Sequence, residues 1–542
     1  MSGVSWHHVQ FVLAGALVAS LVLGAVRTAA VSAYLRGLGR RDLLLLAGCL
    51  VLALAVRLFA TTFVASTEGE AAQGRLIGGT HRWAAGWSAI LHFLFLSFPG
   101  SVATIARLNV IISLATIVAL FVLVDLYFED RFAAFSAAAV LALQPISARY
   151  ACSDSSAVLQ TFCLVVGAAF LARWNGPGRR GLLLQGVGWL VLAANVRYES
   201  VVYLVAGAFV VIGGGGWPRP GRTRELLLGG LCGALFLLYP AGRALLDASG
   251  GVFELSPLGH VGVFVLSRYS PGVVVAVAFL GLLAATLARF RAAVWFLLAL
   301  AVVSLPAYFF GKECADFGNR FALPHLALWA AFAGYGCAVA RRLLRRAAQR
   351  LRGVERGPEA EAPRRIPPLA AAVVLALAVA AAVPHRGFLT RMWTHALEHD
   401  FIVSQLGAIP DSCLIVGPDS DRESRGLRIS GYLSWEVDRN HHWVRADSPE
   451  VLAGTIAPCT IYYRSTTCHG YEAVLEPQNP DWEGPERPVC RRIGERFDLE
   501  PLVTTTIPSR GYTCEAHTVD PVPAGFYRMR PQAAGPGGGA RR

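Results

Sequence analysis

The sequence predicts a mainly α-helical, polytopic membrane protein, a bundle of about twelve spans followed by a small C-terminal α/β domain. Of the 542 residues, 54% are hydrophobic and 16% are charged, whereas soluble domains carry about 25% charged residues. The apolar residues fall in long runs, and a helix needs roughly 20 such residues to cross a hydrocarbon core about 30 Å thick. After residue 384 these runs stop, and Asp, Glu, His, Trp and Tyr become frequent.

Twelve apolar runs are candidates for spanning helices. They cover residues 9–26, 43–64, 103–124, 132–146, 155–172, 181–196, 199–213, 225–242, 271–288, 292–310, 321–340 and 367–384. The runs that begin at 132, 181 and 199 are short for a span. The first run has its basic residues after it, at Arg27, Arg36, Arg40 and Arg41, unlike a cleaved signal peptide. We therefore expect a retained first helix with its N-terminus outside.

The charges in the loops test this path independently. If successive spans cross the membrane in alternating directions, the inside loops carry 22 Lys and Arg residues and the outside loops between spans carry 8. Cytoplasmic loops are enriched in positive charge, so the charge distribution agrees with the predicted path. This placement also accounts for most of the net charge of +13. Because the arginines are not interleaved with aromatic residues, we expect no nucleic-acid partner.

The predicted domains differ in composition. They are a transmembrane module at 1–384, which includes a basic cytoplasmic linker at 341–366, an extracytoplasmic α/β domain at 385–530 and a disordered Gly/Pro-rich tail at 531–542. The linker begins as a basic segment suited to anionic headgroups. Strand-like runs at 413–418 and 460–465 follow a helical stretch near 389–407, which favours an α/β domain. We find no internal repeat, so an inverted-repeat transporter gains no support.

Cysteines are concentrated in the last 130 or so residues, on the predicted outer side where disulfides persist. Five of the eleven lie there: Cys413, Cys459, Cys468, Cys490 and Cys514. Five thiols allow two bridges with one cysteine left over, and the spacing leaves the connectivity open. No CxxC or Cys/His spacing indicates a zinc site.

Charged residues gather in the predicted outside loops, where polar side chains at the ends of spans mark functional sites. The loops supply Glu68, Glu70, Arg75, His81 and Arg82, then Arg149 and Asp154, then Arg197 and Glu199, and finally Lys312, Glu313, Asp316 and Arg320. Such a mixture suits a reaction in which a carboxylate deprotonates a hydroxyl acceptor and cations stabilise a phosphate leaving group.

The order of these features resembles the GT-C superfamily of membrane glycosyltransferases, particularly its protein O-mannosyltransferase and aminoarabinose transferase branch (family 39-type). The segment LAGCLVLALAVRLFATTFVASTEGE places Arg57 in a span and Glu68 at the start of a long outside loop, where that branch has a catalytic acid. An interfacial helix at 86–98 and a span entered through Arg107 in IARLNV follow. The next short loop, SARYACSDSS, carries a second acid, Asp154.

The resemblance covers roughly residues 43–340 and is one of layout. It implies an enzyme of the cell (inner) membrane that transfers a sugar from a polyprenyl phosphate to a protein, lipid or glycan on the extracytoplasmic face. The implied roles are catalytic for Glu68, Glu70 and Asp154, phosphate-binding for Arg57, Lys312 and Arg320, and substrate-binding for His81, Arg197 and Glu199. Glu68-Gly-Glu70 replaces the family's Asp-Glu pair, which leaves open which glutamate is the base. The lipid-linked sugar is the co-substrate, no metal ligands are assigned, and a need for a divalent cation stays open.

Two other functions remain open. A transporter or lipid flippase is expected to place several charged residues within spans, where only Arg57 stands out. A catalytically inactive GT-C relative would act as a sensor or scaffold. Individual residues also have structural interpretations: Arg57 as a snorkelling arginine, Arg197 and Glu199 as a local ion pair, and Lys312 and Arg320 as interfacial anchors.

Overall fold

The structure, a computed structural model, describes most of the chain in two units. The described residues are 6–28, 34, 36–61, 85–99, 102–174, 181–213, 270–310, 321–352, 366–389, 393–417, 442–446, 451, 457–472, 486–509, 515–517 and 519–531. The first unit comprises those up to Leu389. The second comprises those from Trp393 onward.

The first unit is helical. Its helices are α1 (Trp6–Thr28), α2 (Arg40–Thr61), α3 (Ala85–Ser97), α4 (Val102–Phe128), α5 (Arg131–Leu143), α6 (Pro145–Ala151), α7 (Ala157–Trp174), α8 (Leu182–Val196), α9 (Tyr203–Gly213), α10 (Gly272–Ala288), α11 (Phe290–Phe310), α12 (Ala322–Leu351) and α13 (Pro368–Ala382). A 3₁₀ helix, Tyr198–Val202, precedes α9, and another, Val383–Phe388, follows α13.

Eleven of the twelve apolar runs coincide with described helices, and the run at 225–242 lies outside the described residues. The coarse fold class, mainly helical with a small sheet, is therefore confirmed. Among the described residues, four helices are long and apolar enough to cross a membrane: α2, α4, α7 and α12. The bent pair of α5 and α6 makes a fifth if it counts as one span. The total of twelve spans stays a prediction, since helices such as α8, with 15 residues, fall short of the roughly 20 that a span needs.

Helix α12 packs backbone to backbone against two neighbours. A Cβ on Gly336 would lie 2.0 Å from the carbonyl oxygen of Val277 in α10, and one on Gly334 would lie 2.2 Å from that of Ala133 in α5. On the α10 side, a Cβ on Gly281 would lie 1.9 Å from the carbonyl oxygen of Phe332. Small residues permit such close approach between helices in a membrane. These glycines therefore set the spacing of α5, α10 and α12.

A proline separates α5 from α6 and redirects the chain. Pro145 begins α6, and the two helix axes differ by 62°. Proline lacks an N–H group and its ring clashes with the preceding turn, so it does not continue α5. Gln144 before it is extended, as residues before proline usually are. After the bend, all five residues of the segment Cys152–Ser156 are buried.

Ion pairs join helices at the opposite end of α5, where the predicted inside loops lie. Asp130 caps α5 and pairs with Arg342 of α12 at 3.1 Å. Arg131 lies 3.3 Å from Asp42 and 3.8 Å from Asp125. The second oxygen of Asp42 accepts a hydrogen bond from the backbone N–H of Ile366 at 3.0 Å. Arg131 and Arg342, which the sequence predicts in inside loops, therefore also join helices through ion pairs.

The second unit contains a mixed sheet and two helices. Its elements are α14 (Trp393–Leu406), β1 (Leu414–Gly417), β2 (His442–Arg445), β3 (Thr460–Arg464), β4 (Gly470–Glu472), α15 (Pro488–Arg496), β5 (Phe497–Ile507), β6 (Glu515–His517) and β7 (Val522–Pro531). The five-stranded sheet has the order β2-β1-β3-β7-β5, with β1 parallel to β2 and β3, and β7 antiparallel to β3 and β5. Strands β4 and β6 form a separate pair. The expected helix and the two expected strands correspond to α14, β1 and β3.

Two disulfides, Cys413–Cys459 and Cys468–Cys490, cross-link the second unit. The first joins the residues immediately before the parallel strands β1 and β3. The second attaches the turn after β3 to helix α15. Two bridges confirm the number that the cysteine count allows, and Cys514 lies outside the described residues.

Candidate active site at one end of the helical bundle

The predicted site residues divide into two groups. Arg57, Asp154, Arg197 and Glu199 belong to the described part of the chain. The others, which are Glu68, Glu70, His81, Lys312 and Arg320, lie outside the described residues. Their convergence with the first group stays a prediction.

Arg57 is completely buried in the middle of three helices. Its Nε donates to the hydroxyl of Ser113 in α4 at 3.0 Å. Its Nη1 donates to the carbonyl oxygens of Ala53, one turn earlier, and Ala142 in α5, at 3.1 and 2.9 Å. These bonds hold the guanidinium inside the bundle, whereas a snorkelling arginine extends its charged group to the water at the membrane surface. All three acceptors are neutral, and Nη2 has no hydrogen-bond partner among the described residues.

Asp154 lies in the short segment Cys152–Ser156, which we call the serine turn. The turn connects α6 to α7, and Asp154 itself is 0% exposed. The thiol of Cys152 donates to the carbonyl oxygen of Arg57, with a distance of 3.0 Å between the heavy atoms. The hydroxyl of Ser153 donates to the carbonyl oxygen of Tyr150 at 2.9 Å. The serine turn is thus attached directly to the backbone of the residue whose guanidinium is buried in α2.

Arg197 reaches the same turn from the other side. Its Nη1 donates to the hydroxyl of Ser156 at 3.1 Å, and its Nε pairs with the carboxylate of Glu199. The guanidinium carbon lies 5.0 Å from the centre of the Phe321 ring, a distance that allows a cation–π interaction. The local ion pair between Arg197 and Glu199 therefore exists. Its arginine additionally connects the start of the 3₁₀ helix to the serine turn.

Sequence reasoning missed three buried polar residues next to the turn. Asn109 in α4 donates from Nδ2 to the carbonyl oxygens of Ser153 and Ser155, at 2.8 and 3.0 Å. Ser113, one turn further along α4, is the acceptor for Arg57. Gln160 in α7 donates to the hydroxyl of Ser200 at 2.7 Å. A signal was present, because polar residues inside apolar helices are expensive in a membrane and have a reason to be there.

The arrangement brings cations and carboxylates together in a sheltered region. The backbone carbonyl of Arg57 and the guanidinium of Arg197 contact opposite ends of the serine turn, and Asp154 lies between those ends. Glu199 balances the charge of Arg197, whereas the acceptors of Arg57 carry no charge. A buried cation with spare N–H groups is suited to an anionic ligand, and a buried carboxylate to binding a hydroxyl group or a cation.

Potential metal ligands also occur in the second unit. Within the described residues, Cys468, Glu486 and Cys490 offer ligand atoms that lie within 4.8 Å of one another. The two sulfur atoms form a disulfide, and a metal requires thiolates. We therefore assign no metal to this group.

This chain belongs to the class of polytopic α-helical membrane proteins. It has apolar helices of spanning length, and these helices enclose a buried cation and a buried polar turn. No family model matches the sequence, and no curated protein matches it.

Among solved structures, the chain is similar to the archaeal oligosaccharyltransferase AglB from Archaeoglobus fulgidus, in complex with an inhibitory peptide and a dolichol-phosphate. The two are 13% identical over 74% of this chain and 64% of that chain, with a TM-score of 0.44. The chain thus spans slightly less than two thirds of that transferase. It is also similar to ArnT from Cupriavidus metallidurans bound to undecaprenyl phosphate, at 13% identity over 88% of this chain and 98% of that chain, with a TM-score of 0.46.

These solved structures agree with the resemblance to membrane glycosyltransferases that the sequence predicts. Because the identities are 13% and the TM-scores are below 0.5, they carry no argument about individual residues or activity.

Proposed function

We propose that this chain is a membrane glycosyltransferase that transfers a sugar from a polyprenyl-phosphate donor to a protein, lipid or glycan on the extracytoplasmic face. The observation that carries the proposal is the fully buried guanidinium of Arg57, whose Nη2 has no hydrogen-bond partner among the described residues. A buried guanidinium favours an anionic ligand, and that ligand has to reach a site among apolar helices. A phosphate attached to a lipid chain has both properties.

The energetics favour a functional reason for Arg57. Arg57 lies four residues before the end of α2, so its cost of membrane insertion is below the roughly 2.5 to 3.5 kcal/mol of an arginine at the centre of a spanning helix. The bonds to Ser113, Ala53 and Ala142 satisfy three donors of the guanidinium but do not neutralise its charge. A phosphate would accept from the two N–H bonds of Nη2 and supply the opposite charge, and hydrogen bonds between ionised groups are stronger than those between neutral groups.

The proposed reaction assigns a role to each predicted residue. Glu68 or Glu70 removes the proton from the acceptor hydroxyl, and the acceptor oxygen attacks the anomeric carbon of the donor sugar with inversion. The bond between that carbon and the phosphate oxygen breaks, and polyprenyl phosphate leaves as an anion. Arg57, Lys312 and Arg320 stabilise the departing phosphate. Asp154 is the second acid, while His81, Arg197 and Glu199 contact the substrates.

The buried position of Asp154 favours Glu68 or Glu70 as the base. A base has to come within hydrogen-bond distance of the acceptor hydroxyl, about 2.6 to 3.2 Å. Asp154 is 0% exposed inside the serine turn, whereas the sequence predicts both glutamates in an outside loop. We accordingly assign Asp154 to organising the site and one of the glutamates to proton removal.

We further propose that residues 385–530 form an extracytoplasmic domain. The two disulfides in the second unit support this location, because disulfides persist in oxidising compartments and are rare in the cytosol. The excess of Lys and Arg in the other set of loops supports the same orientation.

The direct test uses the purified full-length protein in lipid nanodiscs, a polyprenyl-phosphate sugar labelled in the sugar, and native membranes as the source of acceptor. Labelled covalent product together with released polyprenyl phosphate is the expected result. Loss of product in one of the variants Glu68→Gln and Glu70→Gln supports that glutamate as the base, and full activity in both contradicts the proposal. In proteoliposomes, movement of the label across the bilayer without covalent product would establish a transporter or flippase instead.

A further inference from the structure

We propose that Asn109 is a positioning residue that holds the serine turn, and with it Asp154, in place. The expected effect on catalysis rests on the proposed function, whereas the structural role of Asn109 in fixing the turn does not. Asn109 lies in α4 and is 0% exposed, as is Asp154. Its side-chain amide donates to one carbonyl on each side of Asp154, those of Ser153 and Ser155.

The geometry leaves a single orientation for this amide. The nitrogen Nδ2 lies 2.8 Å from the oxygen of Ser153 and 3.0 Å from that of Ser155. If the amide were reversed, Oδ1 would face two carbonyl oxygens and no hydrogen bond would form. Both hydrogens of the NH₂ group are therefore used on the turn. Oδ1 has no hydrogen-bond partner among the described residues.

The turn needs such support because it is neither helix nor strand. Its carbonyl groups are buried, and a buried carbonyl without a partner is unfavourable, above all in a membrane protein. Within the turn, the hydroxyl of Ser153 accepts from the N–H of Ser155 at 3.2 Å, which is a local contact. Asn109 is 44 and 46 residues away in sequence from its two acceptors. Its bonds therefore fix the turn relative to α4, the helix that also carries the partner of Arg57.

The effect on Asp154 is positional. The carbonyl of Ser153 belongs to the peptide group that precedes Asp154, so its hydrogen bond restricts the rotation of that peptide group. The bond to Ser155 restricts the chain on the other side. A displacement of about 1 Å in a catalytic site can reduce the rate roughly 100-fold. Replacement of Asn109 should consequently lower turnover, although Asn109 itself touches no reacting atom.

The variant Asn109→Leu tests this with little change of volume. The matched control is Thr116→Val, because Thr116 is on the same helix and is also buried, and its hydroxyl donates to the Ile112 carbonyl one turn earlier at 2.8 Å. We expect kcat for sugar transfer to fall about 10- to 100-fold in Asn109→Leu, with the KM for the polyprenyl-phosphate sugar within about threefold of wild type. Asn109→Gln, which keeps the donor group, should recover part of kcat. Thr116→Val should behave as wild type.

A second measurement does not depend on enzymatic activity. Cys152 is the first residue of the serine turn and is 4% exposed, so its thiol reports on opening of the turn. We expect a membrane-permeant maleimide, with sites identified by peptide mapping, to label Cys152 about tenfold faster in Asn109→Leu than in wild type or Thr116→Val. The buried cysteines Cys49 and Cys163 serve as internal references whose labelling should not change.

The two measurements separate the outcomes. Unchanged labelling of Cys152 in Asn109→Leu overturns the proposed hold on the turn. Faster labelling of Cys152 with unchanged kcat would show that Asn109 fixes the turn but that this has no effect on catalysis. If wild type transfers no sugar while Asn109→Leu still exposes Cys152, the proposed function fails and the hold on the turn stands.

Discussion

The guanidinium of Arg57 donates to the hydroxyl of Ser113 over 3.0 Å, and this bond ties α2 to α4 within the helical bundle. A second bond, to the carbonyl of Ala142, ties the same side chain to α5. Arg57 therefore has a structural part, which uses Nε and Nη1. Its Nη2 group has no hydrogen-bond partner among the described residues, and we propose that it binds the donor phosphate. Variants have to separate these two parts.

Arg57→Gln should weaken the binding of undecaprenyl phosphate by at least about tenfold, because a charge-assisted bond to phosphate contributes roughly 1.5 to 3 kcal/mol. Binding is measured by titration of the detergent-solubilised protein, with thermal unfolding recorded in parallel. Ser113→Ala is the companion variant, since it removes an acceptor of Nε and leaves the charge of Arg57 in place. Arg289→Gln is the control, because Arg289 pairs with Glu129 at the other end of the bundle. Equal affinity in wild type and a folded Arg57→Gln protein would rule out the phosphate role.

Gly336→Leu should destabilise the helical unit by about 1 to 3 kcal/mol or more, because a side chain there meets the backbone of α10. A Cβ would already lie 2.0 Å from the oxygen of Val277, and backbone atoms cannot move aside as a flexible side chain can. The midpoint of thermal unfolding in detergent measures the effect. Gly48→Leu provides the control within a spanning helix, since no atom lies within 4 Å of the corresponding Cβ. Comparable midpoints for the two variants would argue against close packing of α10 on α12.

Glu398→Gln should destabilise the second unit by about 1 to 3 kcal/mol. The buried carboxylate accepts hydrogen bonds from the hydroxyls of Tyr463, Ser465 and Thr466 and from the backbone N–H of Thr466. An amide can replace only part of this set, because one of its two ends donates. Chemical unfolding followed by circular dichroism measures the loss. Glu500→Gln serves as the exposed control, with an expected change below about 0.5 kcal/mol. A loss as small as that of the control would show that Glu398 does not anchor α14 to the turn after β3.

Alkaline pH should destabilise the second unit through Tyr463. Burial raises the pKa of the Tyr463 hydroxyl well above its usual value, and the charge of the neighbouring Glu398 raises that pKa further. The unfolded chain loses this proton near pH 10, while the folded chain retains it. The contribution to stability is therefore fully present below about pH 10 and is lost as the pH rises further. The slope of unfolding free energy against pH should be smaller in Tyr463→Phe, and an unchanged slope would contradict the assignment.

Much of the helical architecture was predictable because it depends on local composition. An apolar run long enough to form a helix is visible wherever it occurs, and eleven of the twelve runs coincide with described helices. The bend after α5 also has a local cause, in Pro145. The number of spans was less predictable, because helices such as α8 are shorter than a simple span and their placement depends on their neighbours.

The site was predictable only in part. The charged residues Arg57, Asp154 and Arg197 stand out in an apolar sequence, and the structure joins the backbone of Arg57 and the side chain of Arg197 to the serine turn that contains Asp154. Asn109 and Ser113 carry the weaker signal of a single uncharged polar residue in an apolar helix. Their importance comes from partners that the sequence does not identify.

By itself, the sequence determined that the chain is a helical membrane protein with a cysteine-rich C-terminal part, since hydropathy and residue type act within each segment. Only the tertiary structure decided that Arg57 points into the bundle, that Asn109 holds the turn of Asp154, and how four cysteines pair. The physical reason is separation along the chain. Arg57 and Ala142 are 85 residues apart, and Glu398 and Ser465 are 67 apart. Contacts over such distances depend on how whole helices and strands pack, which no local pattern encodes.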